Sequence, residues 1–146
     1  MMLPDINVLL YSVEADNRHH IPAKRWLESA FNSSSSVGLA WLVLAGFVRL
    51  STQPKILRKQ LTTVESLAVM NEWIHHPNAQ IVHPSLQHGA LLGSFLLAAG
   101  TAGNLSNDAH LAALAVENNG TVGTFDKNFN RFPGVKVDLL KSKSSF

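Results

Sequence analysis

Three aspartates are the residues in this sequence most able to do chemistry. Asp5 follows the apolar N-terminal residues, Asp126 follows the segment TVGTF, and Asp108 begins a helical segment after a loop. Carboxylates that cluster repel one another, and either protonation of one of them or a bound cation relieves the repulsion. With no cysteine and no histidines at ligand spacing, an all-oxygen set selects a hard cation, Mg²⁺ or Mn²⁺. Such a site suits phosphodiester cleavage.

Each aspartate also has a local explanation when it is taken alone. The helix dipole favours Asp108 in a first turn, and Asp5 can cap the helix that follows it. Asp126, within FDKNF, can form an Asx-turn. The combination is more informative, because all three lie where strands end or helices begin.

Alternating helical and short buried strand patterns must position these residues. The pattern predicts an α/β fold with one domain, in which helices flank a mostly parallel central sheet of four to five strands. Ligand sites in open α/β sheets lie beyond the carboxyl ends of the strands, so the three aspartates can converge there. The predicted strands are 1–4, 36–41, 80–84 and 121–125, and the predicted helices are 7–13, 21–31, 42–50, 64–76, 86–99 and the segment from residue 108.

Length and composition indicate an ordinary globular protein. The chain has 146 residues, 46% hydrophobic and 15% charged, with a formal net charge of +2 that permits a polyanionic partner. No signal peptide is recognised, and the longest uncharged apolar run, 37–48, is too short to cross a bilayer, so we expect a cytoplasmic location and no membrane partner. Residues 1–140 are predicted to form the domain and 141–146 a frayed basic tail, with fraying expected from Val135 onward.

Five segments together resemble PIN-domain ribonucleases, specifically the VapC-type toxins of bacterial toxin–antitoxin pairs. The resemblance covers nearly the whole chain, and the order and spacing of the segments are more specific than any one of them. They are DINVLLYSV at 5–13, His20 with Ala23 and Trp26, VLAGFVRLST at 43–52, DAHLAALAVE at 108–117, and TFDKNFNRFPGV at 124–135.

The resemblance implies an endoribonuclease that depends on Mg²⁺ or Mn²⁺ and hydrolyses RNA with metal-activated water. Asp5 and Asp108 match the more secure metal ligands, and Asp126 would complete the site through water or a second metal. Thr124 matches a small polar position expected to orient water or phosphate, and Asn7 lies where many members have a polar residue. The resemblance also implies a homodimer and inhibition by an antitoxin, whose C-terminal segment would lie across helices such as 42–50 and 64–76.

One position departs from the family pattern. Many members carry a glutamate where this chain has Gly46, in LAGFVR. Three aspartates can still bind one metal, or a second metal and some activity are lost. A glycine there also indicates close helix packing or close approach of RNA. Glu117 cannot substitute, because it lies about two and a half turns beyond Asp108 on the same helix.

Basic residues near the predicted site are candidates for phosphate contacts, which supply affinity without sequence information. They are Arg49, Lys127 and Arg131, and less directly Arg58 and Lys59. For each one alone, an ordinary solvated surface charge is the alternative.

Two other function classes compete with the ribonuclease. A non-catalytic PIN-like domain that binds RNA or protein is favoured by Gly46 and opposed by the retention of Asp5, Asp108 and Asp126 together. A phosphorylation-controlled receiver would need paired acids after the first strand and an acceptor aspartate after a central strand. This chain has Asp5 alone at the first place and no aspartate in 80–85.

Overall fold

Short strands and longer helices alternate along the chain, as the sequence predicts. The computed structural model describes residues 1–142. In that range the strands are β1 (Met2–Pro4), β2 (Val37–Ala40), β3 (Ala79–Val82), β4 (Thr121–Thr124) and β5 (Lys136–Leu139). The α-helices are α1 (Ile6–Ser12), α2 (His20–Phe31), α3 (Trp41–Ser51), α4 (Thr63–Ile74), α5 (His88–Ala99) and α6 (Ser106–Glu117), and short 3₁₀ segments cover Gly103–Leu105 and Lys127–Arg131.

The strands form one sheet in the order β3-β2-β1-β4-β5, and every neighbouring pair is parallel. The predicted parallel sheet is therefore confirmed. β1 and β4 are neighbours although they are far apart in sequence, and Pro4 is in register with Gly123. The backbone N–H of Asp5 continues this ladder by donating to the Gly123 carbonyl at 2.9 Å. This register places the residues after both strands at the same edge of the sheet.

Apolar side chains on both sides of the short strands hold the helices against the sheet. All four residues of β2 are buried, which is usual where helices cover a parallel sheet on both faces. Phe47 of α3, Leu9 of α1 and Leu111 of α6 belong to the fully buried core. The helices of the site are thus anchored by packing, because α1 has only seven residues and would be marginal alone.

The start of α4 is closed by a pair of side chains. Thr62 caps α4: its side chain accepts from the Glu65 N–H at 3.1 Å, and the Glu65 carboxylate accepts from the Thr62 N–H at 3.0 Å. This reciprocal pair is a capping box, which satisfies two N–H groups at the helix start.

The prediction that the chain frays from Val135 onward is wrong up to Leu139. β5 pairs with β4 there, with Lys136 opposite Thr121 and Leu139 opposite Thr124. Exposed charged residues are usual in an edge strand, and because of them β5 has no buried apolar run by which the sequence could predict it. Most of the predicted tail, 143–146, lies outside the described residues. Within residues 1–142, no helix is long and apolar enough to cross a membrane.

Candidate active site at the carboxyl edge of the sheet

Asp5 joins the end of β1 to the start of α1. Its Oδ1 accepts from the Ile6 N–H at 2.7 Å, so the residue does cap the helix, as the local explanation predicts. Its Oδ2 accepts from the Thr124 hydroxyl at 2.8 Å and from the Asn7 side-chain amide at 3.3 Å. Only 8% of the residue is exposed, and this burial raises the pKa of its carboxyl above the usual range. The carboxylate is therefore both a cap and a fixed group of the site.

Thr124 is the polar residue that connects the two strand ends. It is fully buried, and its hydroxyl donates to Asp5 while accepting from the Asp126 backbone N–H at 2.9 Å. Asn7 completes the connection, because its side-chain oxygen accepts from the Phe125 N–H at 3.3 Å. The hydrogen bonds thus bring the predicted polar residues Asn7 and Thr124 together with Asp5.

Asp126 begins a turn as well as facing the other carboxylates. Its Oδ1 accepts from the Asn128 N–H at 2.8 Å, the Asx-turn expected from the sequence. The charge of Asp126 nevertheless contributes to raising the pKa of both Asp5 and Asp108. The local role and the electrostatic role therefore coexist in one side chain.

Asp108 is a second carboxyl whose pKa is raised. Burial, followed by the negative charges of Asp5 and Asp126, raises its pKa to about 7. The residue lies in the first turn of α6, where the helix dipole acts in the opposite direction. Mutual repulsion among three carboxyl groups is the electrostatic condition that a divalent cation relieves.

The side chains that could bind a divalent cation are the three aspartates. Among residues 1–142, no group of three or more His, Asp or Glu side chains lies close enough to form a ready-made metal site. The three aspartates are near enough for their charges to interact but are not gathered around one point. Mg²⁺ usually binds one or two carboxylates directly and keeps several waters. The oxygen chemistry of Asp5, Asp108 and Asp126 therefore suits a hard cation such as Mg²⁺ or Mn²⁺, although their side chains do not form a preformed site among residues 1–142.

Gly46 allows α1 and α3 to approach closely at this site. A Cβ atom at position 46 would lie 2.6 Å from Cδ1 of Ile6, the residue after Asp5. Of the explanations offered by the sequence, close helix packing is the one that this contact supports. A glutamate at this position would require Ile6 to move, so this chain has replaced a possible fourth carboxylate with an apolar contact.

The basic residues predicted to contact phosphate differ in their surroundings. Lys127 is exposed and follows Asp126 directly. Arg131 is exposed too, but its guanidinium donates to the Ala99 carbonyl at 2.7 Å and so ties the 3₁₀ segment to α5. Arg49 is exposed in the last turn of α3, where a cation also stabilises the helix end.

Two side-chain groups near the predicted residues were missed by sequence reasoning. Tyr11, His19 and Phe125 form a ring cluster beside the site, with centroid separations of 4.6–5.3 Å. The spacing of Asn7 and Tyr11, one helical turn apart, was the available signal for part of it. The position of His19 could not be predicted, because it depends on how the loop after α1 folds back.

The second missed group involves Glu117. Its carboxylate accepts from the Ser85 N–H at 2.9 Å and lies 2.8 Å from His88 Nδ1. His88 Nε2 in turn lies 2.8 Å from His110 Nδ1. This row connects α5 to α6, and it agrees with the prediction that Glu117 does not substitute for the family glutamate.

Comparison with known proteins identifies the family and agrees with the fold. The model of the PIN domain family matches residues 2–135. Ribonuclease VapC37 of Mycobacterium tuberculosis is 41% identical over 94% of this chain and 96% of its own length. Ribonuclease VapC33 from the same species is 32% identical over 93% of this chain and 95% of its own length.

Solved structures give the same result for the fold. The VapBC2 complex of Rickettsia felis, solved with a DNA fragment from its promoter, contains a chain with a TM-score of 0.68 at 20% identity, covering 94% of this chain and 97% of that one. The sarcin–ricin loop cleaving toxin VapC20 of Mycobacterium tuberculosis gives 0.67 at 16% identity, covering 93% and 99%. With the family model matched over nearly all of the chain and the carboxylates in place at the sheet edge, this protein belongs to the PIN domain family and is similar along its length to VapC ribonucleases.

Proposed function

We propose that this protein is an endoribonuclease that depends on Mg²⁺ or Mn²⁺ and hydrolyses RNA phosphodiester bonds. The observation that carries the proposal is the proximity of Asp5, Asp108 and Asp126 at the edge of the sheet, where burial, followed by the charges of Asp5 and Asp126, raises the pKa of Asp108 to about 7. A bound divalent cation would offset the repulsion among these carboxylates and allow all of them to be ionised at neutral pH. Relatives that are 41% and 32% identical and bear the name ribonuclease support the same activity.

Asp5 and Asp108 would hold the cation directly, and Asp126 would act through water or a second metal. When bound, the cation lowers the pKa of water and stabilises the negative charge that develops on the phosphate. Thr124 and Asn7 position Asp5 by donating to its Oδ2, so the carboxylate presents a fixed geometry. A carboxylate that is already oriented before the substrate binds would lower the activation free energy of a displacement at phosphorus.

Phosphate contacts are assigned to the exposed cations Lys127 and Arg49, and more weakly to Arg131. Lys127 is the strongest candidate because it is adjacent to Asp126 and forms no ion pair among residues 1–142. Arg131 is held by the Ala99 carbonyl, which leaves fewer of its donors for RNA.

The proposed inhibitor is a cognate antitoxin, because similar folds occur in structures of VapBC complexes. A groove of about 370 Å³ lies between α2 and α4, with an apolar floor and charged walls that suit an amphipathic segment. Its apolar floor includes Leu27, Phe31, Val69 and Trp73. α4 therefore lines the groove as predicted, whereas α3, the other predicted element, contributes no residue to it.

The groove can be tested with a charge placed in its floor. The cognate antitoxin is expected to copurify with wild-type protein and not with Val69→Asp, while RNA cleavage by the free variant is unchanged. Copurification of both forms would place the antitoxin elsewhere.

A homodimer is also proposed, with α5 as the contact surface. No Asp, Glu, Lys or Arg occurs from Ser85 to Asn107, and Leu97 on this helix is 83% exposed. Gly89 has open space within 4 Å of where a Cβ would be, so a second helix can approach closely.

One alternative has a specific observation in its favour. Gly46 stands where many members of the family carry a glutamate, and a Cβ at this position would require the Ile6 side chain to shift. A PIN-like domain that binds RNA or protein without cutting is the function this feature favours.

Cleavage of total cellular RNA separates the two functions. The purified full chain is incubated with Mg²⁺ or Mn²⁺, and in parallel with EDTA, and the ends of the products are sequenced. Discrete metal-dependent fragments are expected from the ribonuclease. Intact RNA in every condition, together with RNA binding, would establish the non-catalytic domain instead.

A further inference from the structure

We propose that Tyr11, His19 and Phe125 form a stacking platform that receives a nucleobase of single-stranded RNA beside the phosphate to be cut. This inference rests on the proposed ribonuclease function and adds a base-binding subsite to it. Single-stranded RNA is recognised largely by stacking of unpaired bases on aromatic and histidine rings.

The three rings contact one another in every combination. The centroids of Tyr11 and His19 are 4.8 Å apart, those of His19 and Phe125 are 4.6 Å apart, and those of Tyr11 and Phe125 are 5.3 Å apart. All three residues are half-buried, so part of each remains accessible to solvent while the rings pack against one another. A rigid, partly exposed ring cluster loses little conformational entropy when a base stacks on it.

Backbone and side-chain bonds connect this platform to the carboxylates. Phe125 stands between Thr124 and Asp126 in sequence, and its N–H donates to the side chain of Asn7. Asn7 also donates to Asp5 and lies one turn before Tyr11 on α1. Asn7 therefore links the carboxylate to the residues that carry two of the rings, Tyr11 and Phe125. A base on the platform would therefore belong to a nucleotide close to the scissile bond.

His19 is present for its ring rather than for hydrogen bonding. Its Nδ1 is buried and has no hydrogen-bond partner among residues 1–142. Burial, and then the charge of Arg18, lower the pKa of this imidazole, so at neutral pH it is an uncharged flat surface. A buried nitrogen without a hydrogen bond lowers the stability of the fold. A stacking role for the ring face would explain why the chain has a histidine at this position.

The charges beside the platform suit the RNA backbone. A cavity of about 540 Å³ adjoins His19 through its neighbour Arg18, and Arg25 and Lys141 also line it. Among the described residues, its lining includes these three cations and no carboxylate. A groove of positive charge beside aromatic rings is the arrangement by which proteins follow a single strand. The cavity thus gives the sugar–phosphate chain a path that the stacked base would fix.

The test uses Tyr11 as its own reporter, because it is the only tyrosine in the chain. Full-length protein labelled with 3-fluorotyrosine is titrated in EDTA with an eight-nucleotide oligouridylate, and with an abasic ribose-phosphate oligomer of equal length. We expect the oligouridylate to shift the fluorine resonance to saturation and to bind about tenfold more tightly. Phe125→Leu is expected to remove that advantage without weakening the abasic oligomer.

Equal shifts and affinities for the two oligomers would overturn the platform, and so would a Phe125→Leu variant that weakens both equally. Cleavage of cellular RNA by the same preparation is measured in parallel. If RNA is cut but binding does not depend on the base, the platform alone is wrong. If the protein neither binds nor cuts RNA, the proposed function falls as well.

Discussion

Asp5 caps a helix and is also the most hydrogen-bonded carboxylate of the proposed site. Its two oxygens accept from Ile6, Thr124 and Asn7, so it is a helix cap and the anchor of the site at once. The local interpretations of the aspartates were therefore correct without excluding the functional one. Sequence could predict that Asp5 and Asp126 approach each other, because both follow strands of a parallel sheet. It could not predict the Thr124 hydroxyl as their link, since that depends on the register of β1 against β4.

Removing only the Thr124 hydroxyl should disturb Asp5 without changing the shape of the core. Thr124→Val is expected to lower kcat for RNA cleavage at least tenfold and to reduce stability by about 1–3 kcal/mol, because Asp5 stays buried with fewer donors. Thr124→Ser, which keeps the hydroxyl, should retain most activity. Single-turnover cleavage and urea denaturation measure both effects. A fully active valine variant would show that the hydroxyl does not position Asp5.

The raised pKa of Asp108 predicts how stability depends on pH without metal. Between the ordinary value of 3.8 and about 7, the folded protein binds more protons at this carboxyl than the unfolded chain. Stability from this group is therefore present at low pH and lost as pH rises toward 8. After allowance for solvent screening of this half-buried group, the loss is about 1–2 kcal/mol.

Urea denaturation in EDTA at pH 5.5 and pH 8 tests this through the difference between Asp108→Asn and wild type. The difference is needed because the lowered pKa values of His19 and His110 make stability rise with pH. At pH 8 the free energy of unfolding of Asp108→Asn should increase relative to that of the wild type, and Mg²⁺ should restore the stability of the wild type. Asp16→Asn, at an exposed acid, is the control. A difference that is independent of pH would contradict the assigned repulsion.

At the scale of elements, glycines set how closely helices approach the sheet. Gly123 of β4 lies against the indole of Trp26 on α2, and that indole donates to Asp138 of β5 at 3.0 Å. Sequence showed the alternation of elements and four of the five strands. It missed β5 because an exposed edge strand of alternating charge has no apolar run. It also missed the row Glu117, His88 and His110, which depends on the packing of α5 on α6.

Gly123→Ala should therefore destabilise the fold. The added Cβ would overlap the rigid Trp26 ring, and overpacking of this kind costs about 1–3 kcal/mol. Gly89→Ala is the control, because nothing in the same chain lies within 4 Å of its Cβ position. Both glycine variants are made in Leu97→Glu protein, so that the proposed dimer contact of α5 does not contribute, and Gly89→Ala should leave stability unchanged or slightly higher there. Thermal and urea unfolding compare the two. Equal stability of both variants would mean that α2 is not held against β4 as described.

For the whole molecule, the parallel sheet brings the residues of the proposed site to one edge and leaves other surfaces exposed. The groove between α2 and α4 and the uncharged face of α5 lie on different elements from the carboxylates. We therefore expect substitutions in the proposed antitoxin and dimer surfaces to leave RNA cleavage unchanged. Sequence indicates α4 as an antitoxin contact and shows that α5 has no charged residue. It does not show which of their apolar side chains are exposed, because that depends on how the helices pack.

The dimer surface can be tested with one charge. Leu97→Glu should convert a dimer to a monomer at micromolar concentration, because it places two carboxylates in an apolar contact. Multi-angle light scattering gives the mass, and circular dichroism checks that the variant is folded. A monomeric wild type, or a variant that remains dimeric, would remove α5 as the interface.

The central claim is that three aspartates from distant parts of the chain form one cation-dependent site that cuts RNA. The most direct measurement is the rate of RNA cleavage against Mn²⁺ concentration for wild type, Asp5→Asn, Asp108→Asn and Glu72→Gln, with folding checked for each. We predict saturable, EDTA-sensitive cleavage by wild type and Glu72→Gln, and a loss of at least a hundredfold in both aspartate variants. Cleavage that survives both substitutions, or that needs no metal, would contradict the account.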